Sequence, residues 1–553
     1  MIKVDRRSAL GLVGAGLTLP GAAARGAPSA GASFAHGVAS GDPTARGAIL
    51  WTRVTPADAG HVAPIAVEWH VAETEGGKAL ESGRAEARPA RDFTVKVEAV
   101  KLKPGRDYVY WFTLAGGTRS PVGRFRTLPE GSIADAVFAV VSCQLYPGGF
   151  FNAYRALAGQ ARLDAVIHLG DYIYEYGADE YGGAIGAKLG RVPQPAHEIV
   201  TLADYRMRHA QYKTDADLQA AHARAAFICV WDDHETANDS WVGGAENHQP
   251  ETEGEWKTRK AVAMQAYFEW MPIRDPKPGA PWEAINRTFE FGDLATLMMV
   301  ETRLLARSEQ AEPKGHSPDA AGIAAVIAER NRADRELLGA PQRAWLEAGL
   351  KASVDAGKPW QVLGNQVVMA RVEGPELTRL FGAETAQAMV AGLAPAIRTQ
   401  VEAAQAGYRA GLPFNLDSWD GYPAARERLY AGLRRAGSHP LVLSGDSHAF
   451  WANSLADASG TTVASEFGTS AISSPSVGDM LPSVPLGDLL DKANPEVVFC
   501  DQTAKGYILL TLTPQVAKAD YMAVSTILDR KFEERVLARF EVPAGKERAL
   551  KRI

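Results

Sequence analysis

Two kinds of apolar spacing divide this chain. Through residues 34–127 the apolar positions recur with period two. Ile65, Val67, Trp69 and Val71 share one face, Val95, Val97 and Ala99 another, and Tyr108, Tyr110 and Phe112 a third. Successive side chains of a strand point to opposite faces, so these runs predict half-buried strands. Gly76-Gly77, Lys103-Pro104-Gly105 and Gly116-Gly117 separate them. Short strands at regular spacing with Gly/Pro turns predict a β-sandwich. Residues 124–127 read as its last strand and Leu128-Pro129-Glu130-Gly131 as a linker.

From residue 135 the pattern changes to unbroken apolar runs, at 136–141, 165–169, 226–230, 294–300, 360–363 and 440–443. A strand buried on both faces reads this way. Helical stretches at 154–160 and 202–224 lie between them. Strands alternating with helices predict an α/β layered domain. Residues 305–345 and 372–410, rich in Ala, Glu, Gln and Arg, read as helical insertions. The expected division is a targeting segment and linker (1–33), an immunoglobulin- or fibronectin-like all-β sandwich (34–128) and a large α/β domain (129–553). At 553 residues the chain is long enough for two cores.

Composition narrows the class. Hydrophobic residues are 46% and charged residues 22%, as in ordinary globular proteins. The net charge of −6 argues against a nucleic-acid binder, which needs a basic face. Arg6-Arg7 precede an apolar, glycine-broken stretch at 9–24 ending in Ala22-Ala23-Ala24. This resembles a twin-arginine (Tat) export signal, although Asp5 stands where Ser or Thr is usual. It implies passage through the Tat translocon to the periplasm or medium. No later run reaches the roughly 20 apolar residues of a membrane span, so no transmembrane anchor is expected. Three cysteines, Cys143, Cys229 and Cys500, are too few for a disulfide scaffold. Cys229, inside a buried strand, reads as a core thiol.

The chemistry sits just beyond the buried strands. Cys143 follows the run ending at Val141, Asp171 and Tyr174 the run ending at Leu169, Asp233 and His234 the run ending at Val230. Asn365 follows Leu363, and Asp446 and His448 follow Leu443. In open α/β sheets ligands bind beyond the carboxyl ends of the strands, so these exits predict one site. Asp232-Asp233-His234-Glu235 sets three carboxylates around one histidine, which repel unless cations or buried hydrogen bonds offset them. Asp446 and His448, at i and i+2, can reach into one site from a turn. A metal centre is expected.

Five strand-end motifs of this kind are similar to those of the calcineurin-like metallophosphoesterases and purple acid phosphatases. The match is narrower still. Phe34-Ala35-His36-Gly37-Val38-Ala39-Ser40-Gly41-Asp42-Pro43, Leu50-Trp51-Thr52-Arg53, Ser142-Cys143-Gln144, Gly170-Asp171-Tyr172-Ile173-Tyr174, Trp231-Asp232-Asp233-His234-Glu235, Trp419-Asp420-Gly421-Tyr422-Pro423 and Ser444-Gly445-Asp446-Ser447-His448 occur in order. Together they resemble the PhoD family of alkaline phosphatases and phosphodiesterases, over about residues 34–525. Glu301-Thr302-Arg303 departs from the family's usual Asp-Thr-Arg and leaves open what Glu301 contacts.

The resemblance implies an exported phosphoesterase with a metallophosphoesterase-type core, Fe(III) bound by a tyrosinate, and small phosphate mono- or diesters as substrates. The residues agree. Cys143, Tyr174, His448 and Asp171 form an anionic, polarisable donor set that suits a trivalent transition metal. Asp171 (bridging), Asp233, Asn365 and Asp446 offer oxygen only. Related two-metal phosphatases have histidines where Asn365 and Asp446 stand, and the change to oxygen favours Ca2+. Attack by a metal-bound hydroxide is the expected step. Asp171 and Asp233 would hold the metals for it, and His234 would protonate the leaving oxygen or hold a phosphate oxygen. Glu235 is expected either to orient His234 or to start a helix, and Asp232 is left outside the first set of ligands. The Trp419 motif reads as a packed turn, and Glu466, in a late polar run, is left outside the expected site. A phospholipase D-like lipid or nucleotide diesterase on the same scaffold is one alternative. A secreted binding protein without turnover is another.

Overall fold

The computed structural model describes residues 31–312, 319–393, 395–545 and 548–553. The expected targeting segment, with Arg6 and Arg7, lies almost wholly outside them. Mixed α/β architecture is observed, organised by two large sheets. The first has ten strands. At its centre Ala136–Val141, Ala165–His168 and Phe227–Cys229 run parallel, with Val140 opposite Ile167 and Ile167 opposite Ile228. The second has seven strands and centres on Ala295–Met299, Trp360–Gly364 and Leu441–Ser444, also parallel, with Leu363 between Met298 and Val442.

These six strands are buried along almost their whole length. That is why their sequences read as continuous apolar runs rather than alternating ones. The two sheets share one hydrophobic core, in which the Phe138 and Phe291 rings meet edge to face with centroids 4.8 Å apart. A parallel bridge between Ser142 and Ala471 joins the sheets where their strands end. The parallel strands of both sheets therefore deliver their exits to one region.

Antiparallel strands complete each sheet. Lys505–Leu512 pairs with Ala136–Val141, and Val516–Val524 and Glu534–Pro543 follow outward. The N-terminal region is all β, as expected, and has its own core of Trp69, Tyr108, Tyr110, Phe112 and Phe125. Its strands Glu81–Ala87, Ile65–Ala72, Asp107–Leu114 and Gly123–Arg126 form a separate four-stranded sheet. Val38–Thr44, Gly47–Arg53 and Thr94–Ala99 instead continue the ten-stranded sheet, through a parallel pairing of Gly41 with Phe227. One face of the expected sandwich is thus shared with the large sheet.

The expected helix over 202–224 is two, Leu202–Tyr212 and Ala216–Arg224. Asp215 begins the second by accepting the Asp217 and Leu218 N–H groups. Helices Ala320–Arg330, Gly339–Asp355, Leu377–Phe381, Ala383–Ala391 and Pro395–Arg409 fill the Ala-rich insertions. No helix of the described residues is long and apolar enough to cross a membrane.

Candidate metal centre

The strand exits converge. Cys143, Asp171 and His448 bring one donor atom each to within 4.8 Å of the others; Asp171, Asp233 and His234 do the same, as do Asp232, Asp233 and Asp446. Asp171 and Asp233 therefore each belong to two groups, as bridging residues would. Cys143, Asp171, Asp446 and His448 all have left-handed backbones, with φ between 57° and 62°. Side chains other than glycine rarely adopt this conformation, and where they do it commonly marks a functional turn. Here it turns each side chain sharply off its strand toward the cluster.

The polarisable group is tightly connected. The Tyr174 hydroxyl donates to Asp171 Oδ2 at 3.0 Å, lies 3.2 Å from His448 Nε2, and accepts from the Ser474 hydroxyl at 2.7 Å. His448 Nδ1 is 2.6 Å from the Pro475 carbonyl and 3.3 Å from the Tyr181 hydroxyl. Because the carbonyl can only accept, Nδ1 carries a proton and Nε2 is left as the donor atom. Burial pulls His448 down to about 3, so its ring is neutral.

Burial opposes ionisation of the groups here. Burial pushes the Cys143 thiol, the Tyr174 phenol and the Asp171 carboxyl well above their ordinary values, and the Asp171 charge adds to the effect on Cys143 and Tyr174. Burial likewise raises Asp446, with Asp232 and Asp417 adding to it. Asp171 Oδ1, Asp232 Oδ2 and Asp233 Oδ1 are buried and accept no hydrogen bond among the described residues. Unpaired buried carboxylate oxygens are costly, and a cation is the partner that stabilises them. This donor set therefore fits bound metal.

Asn365 is one strand over from Asp446. Its N–H donates to the Leu443 carbonyl at 2.9 Å, and its side-chain oxygen accepts from the Trp419 indole at 3.0 Å. The Trp419 motif is a packed turn, as expected, and it also orients Asn365. Glu466 accepts the Met369 and Ala370 N–H groups and so supports the loop that follows.

One expectation is overturned. Glu235 does not orient His234. Its carboxylate accepts the backbone N–H groups of Asp171 (3.1 Å), Tyr172 (2.7 Å) and Asp232 (2.9 Å), which clamps two strand exits together. The partner of His234 is Glu175, whose Oε2 is 2.7 Å from Nδ1. Glu175 Oε1 is fixed by Asn238 N–H at 2.7 Å and the Asn247 amide at 2.9 Å. Burial would lower His234, yet Asp233, Glu175 and Asp171 hold it well above the ordinary histidine value. Glu301 also serves the backbone, accepting the Arg303, Leu304 and Leu305 N–H groups and the Trp231 indole.

Sequence reasoning missed Glu175, Arg303 and Asp417. Arg303 is fully buried among the acids. Its Nε pairs with Asp232, Nη1 with Asp417 at 2.8 Å, and Nη2 with Asp446 Oδ1 at 3.0 Å and Asp233 Oδ1 at 3.6 Å. Burial opposes ionisation of Asp233, but the charges of Arg303 and His234 hold its carboxyl below the ordinary range. Arg303 follows the exit of a buried strand, as the other site residues do, so its position was a usable signal. Asp417 carries none.

Comparison with known proteins places these observations. Residues 138–521 match the PhoD-like phosphatase family, and residues 21–129 match the N-terminal domain of PhoD-like phosphatases. Over 511 residues the chain is 35% identical to alkaline phosphatase D of Bacillus subtilis (strain 168), covering 90% of this chain and 78% of that protein. A solved structure of PhoD superposes with a TM-score of 0.76 at 32% identity, covering 94% of this chain and 92% of that one.

Proposed function

The chain belongs to the PhoD-like phosphatase family, a family of phosphoesterases, and on that premise we propose that the strand-exit cluster hydrolyses phosphate mono- and diesters with two bound cations. The observation that carries the proposal is the convergence of Cys143, Asp171, His234, Asp233, Asp446 and His448, with carboxylate oxygens left free of hydrogen bonds. Cys143, Tyr174, His448 and Asp171 would hold a trivalent transition metal, Fe(III) by donor type. Asp171, Asp233, Asn365 and Asp446 would hold a hard cation such as Ca2+. When bound, the pair would supply Lewis acidity to the phosphoryl oxygens and lower the pKa of an attacking water.

The protein's own groups do the rest. His234 donates Nδ1–H to Glu175. Its Nε2 has no hydrogen-bond partner among the described residues and, in the charged ring, carries the proton for the leaving oxygen. Ser474 and Pro475 fix Tyr174 and His448 in place. Arg303 offsets part of the negative charge around Asp232, Asp233 and Asp446.

A second reading, an ester with an apolar chain, is favoured by one observation. Val477 and Met480 are 37% and 61% exposed and closely follow Pro475, whose carbonyl holds His448. A panel of diesters of rising alkyl length separates the two. Faster turnover with chain length supports the lipid-like substrate, and a flat series removes it.

The division into an N-terminal 34–128 unit and a 129–553 catalytic unit, and export through the Tat translocon on Arg6-Arg7, belong to the same proposal. Replacing both arginines by lysine is expected to leave the protein in the cytoplasm, as read by fractionation. The central test is hydrolysis of p-nitrophenyl phosphate and bis-p-nitrophenyl phosphate by purified protein. Asp171→Asn should lower turnover by about a thousandfold or more, in line with losing a bridging ligand and the charge stabilisation it organises. Turnover unchanged in Asp171→Asn would refute the assignment.

A further inference from the structure

We infer that Arg303 is a built-in counter-cation of the oxygen-donor subsite: it holds the acidic cluster together without metal and competes with the divalent cation for the same oxygens. The inference rests on the reading of Asp233 and Asp446 as cation ligands. Its geometry is independent of that reading.

The side chain is fully buried, and its guanidinium faces four carboxylates from two strand exits and one loop. Nε takes Asp232 and Nη1 takes Asp417. Nη2 lies between Asp446 Oδ1 at 3.0 Å and Asp233 Oδ1 at 3.6 Å. Asp232, Asp233 and Asp446 are also the residues whose donor atoms gather within 4.8 Å of one another. One nitrogen thus stands against oxygens that a cation would bridge. Asp232 Oδ2 and Asp233 Oδ1 are buried with no hydrogen-bond partner, so the guanidinium leaves the cluster only partly satisfied.

Two consequences follow from charge alone. A guanidinium is a fixed positive charge at any working pH. It favours the folded cluster when no metal is bound, because without it the buried Asp232, Asp233 and Asp446 carboxylates would repel or take up protons, whereas Asp417 also pairs with Arg307. It also repels a divalent ion at close range in a medium that screens poorly. The subsite is therefore built to survive loss of its cation and to bind that cation reversibly. Arg303 is in this sense a positioning residue that sets cation affinity.

The test is calcium binding to chelator-treated full-length protein by calorimetry, with thermal unfolding in chelator measured alongside. Arg303→Met should bind Ca2+ at least about tenfold more tightly than the parent, and should unfold at a lower temperature in chelator. Arg303→Lys, which keeps the charge but not the fork, should stay within about threefold of the parent affinity. Unchanged or weaker binding in Arg303→Met overturns the inference. So does binding weaker by about tenfold in Arg303→Lys, which would mean that the guanidinium acts by orienting the ligands. Arg303→Lys keeps the question open to decision should the methionine variant fail to fold. If the parent itself takes up no Ca2+, the failure lies with the reading of the subsite rather than with Arg303.

Discussion

Glu175 is completely buried, and both of its oxygens serve the site: one takes His234 Nδ1, the other takes Asn238 and Asn247 from the loop beyond it. Glu175→Gln keeps the shape and removes the charge. It should lower kcat by about ten- to a hundredfold with little change in KM, the usual cost of losing a partner that orients a reacting group. Steady-state kinetics on a diester checks this. Glu235→Ala should act differently, because it strips the acceptor from three buried N–H groups. A loss of about 2–4 kcal/mol in stability is expected, read by denaturant unfolding.

Lys213 gives a pH signature away from the centre. It is buried with no carboxylate salt bridge among the described residues, and burial pulls it down to about 7. The unfolded chain therefore binds more protons between pH 7 and 9, so stability should rise with pH across that window. Lys213→Met should remove a contribution on the order of 2 kcal/mol from that rise. Equal slopes in parent and variant would count against the placement. At this scale the convergence of Cys143, Asp171, Asp233, Asp446 and His448 was legible, because each comes soon after an apolar run. The roles of Glu235 and Glu175 were not. Adjacency in sequence assigned Glu235 to His234, whereas the backbone turn sends Glu235 to the Asp171, Tyr172 and Asp232 N–H groups and His234 to Glu175, which lies just past Asp171 on the neighbouring exit.

Among elements, the exits are set by short turns with little room. A Cβ on Gly170, whose φ is +111°, would come 2.4 Å from the Asp232 nitrogen. Gly170→Ala should therefore push the Asp171 and Asp232 exits apart and abolish turnover, with bound metal content falling in parallel. Activity close to that of the parent would show that the exits tolerate separation. The parallel strands were readable because burial on both faces leaves an unbroken apolar run. Trp256–Trp270 was not, since burial on several faces erases helical periodicity. The strands after residue 450 escaped notice for a related reason. Phe450–Ala456 and Val497–Asp501 mix polar and apolar residues without clean alternation.

At the scale of the molecule, the centre exists because two sheets end their parallel strands at one place. Of the residues proposed to serve it, Cys143, Asp171, Tyr174, Asp233 and His234 follow strands of the ten-stranded sheet, and Asn365, Asp446 and His448 follow strands of the seven-stranded sheet. On that proposal neither sheet alone carries a complete donor set. The layered α/β class was legible from the order of strands and helices. The shared N-terminal sheet was not, because edge pairing leaves no mark in apolar spacing. The most direct measurement of the whole account is metal content per chain and diester turnover on the same preparation, before and after chelation. The account predicts iron and calcium bound in the active protein, loss of turnover as they are removed, and recovery on their return. Full turnover by protein free of bound metal would contradict it.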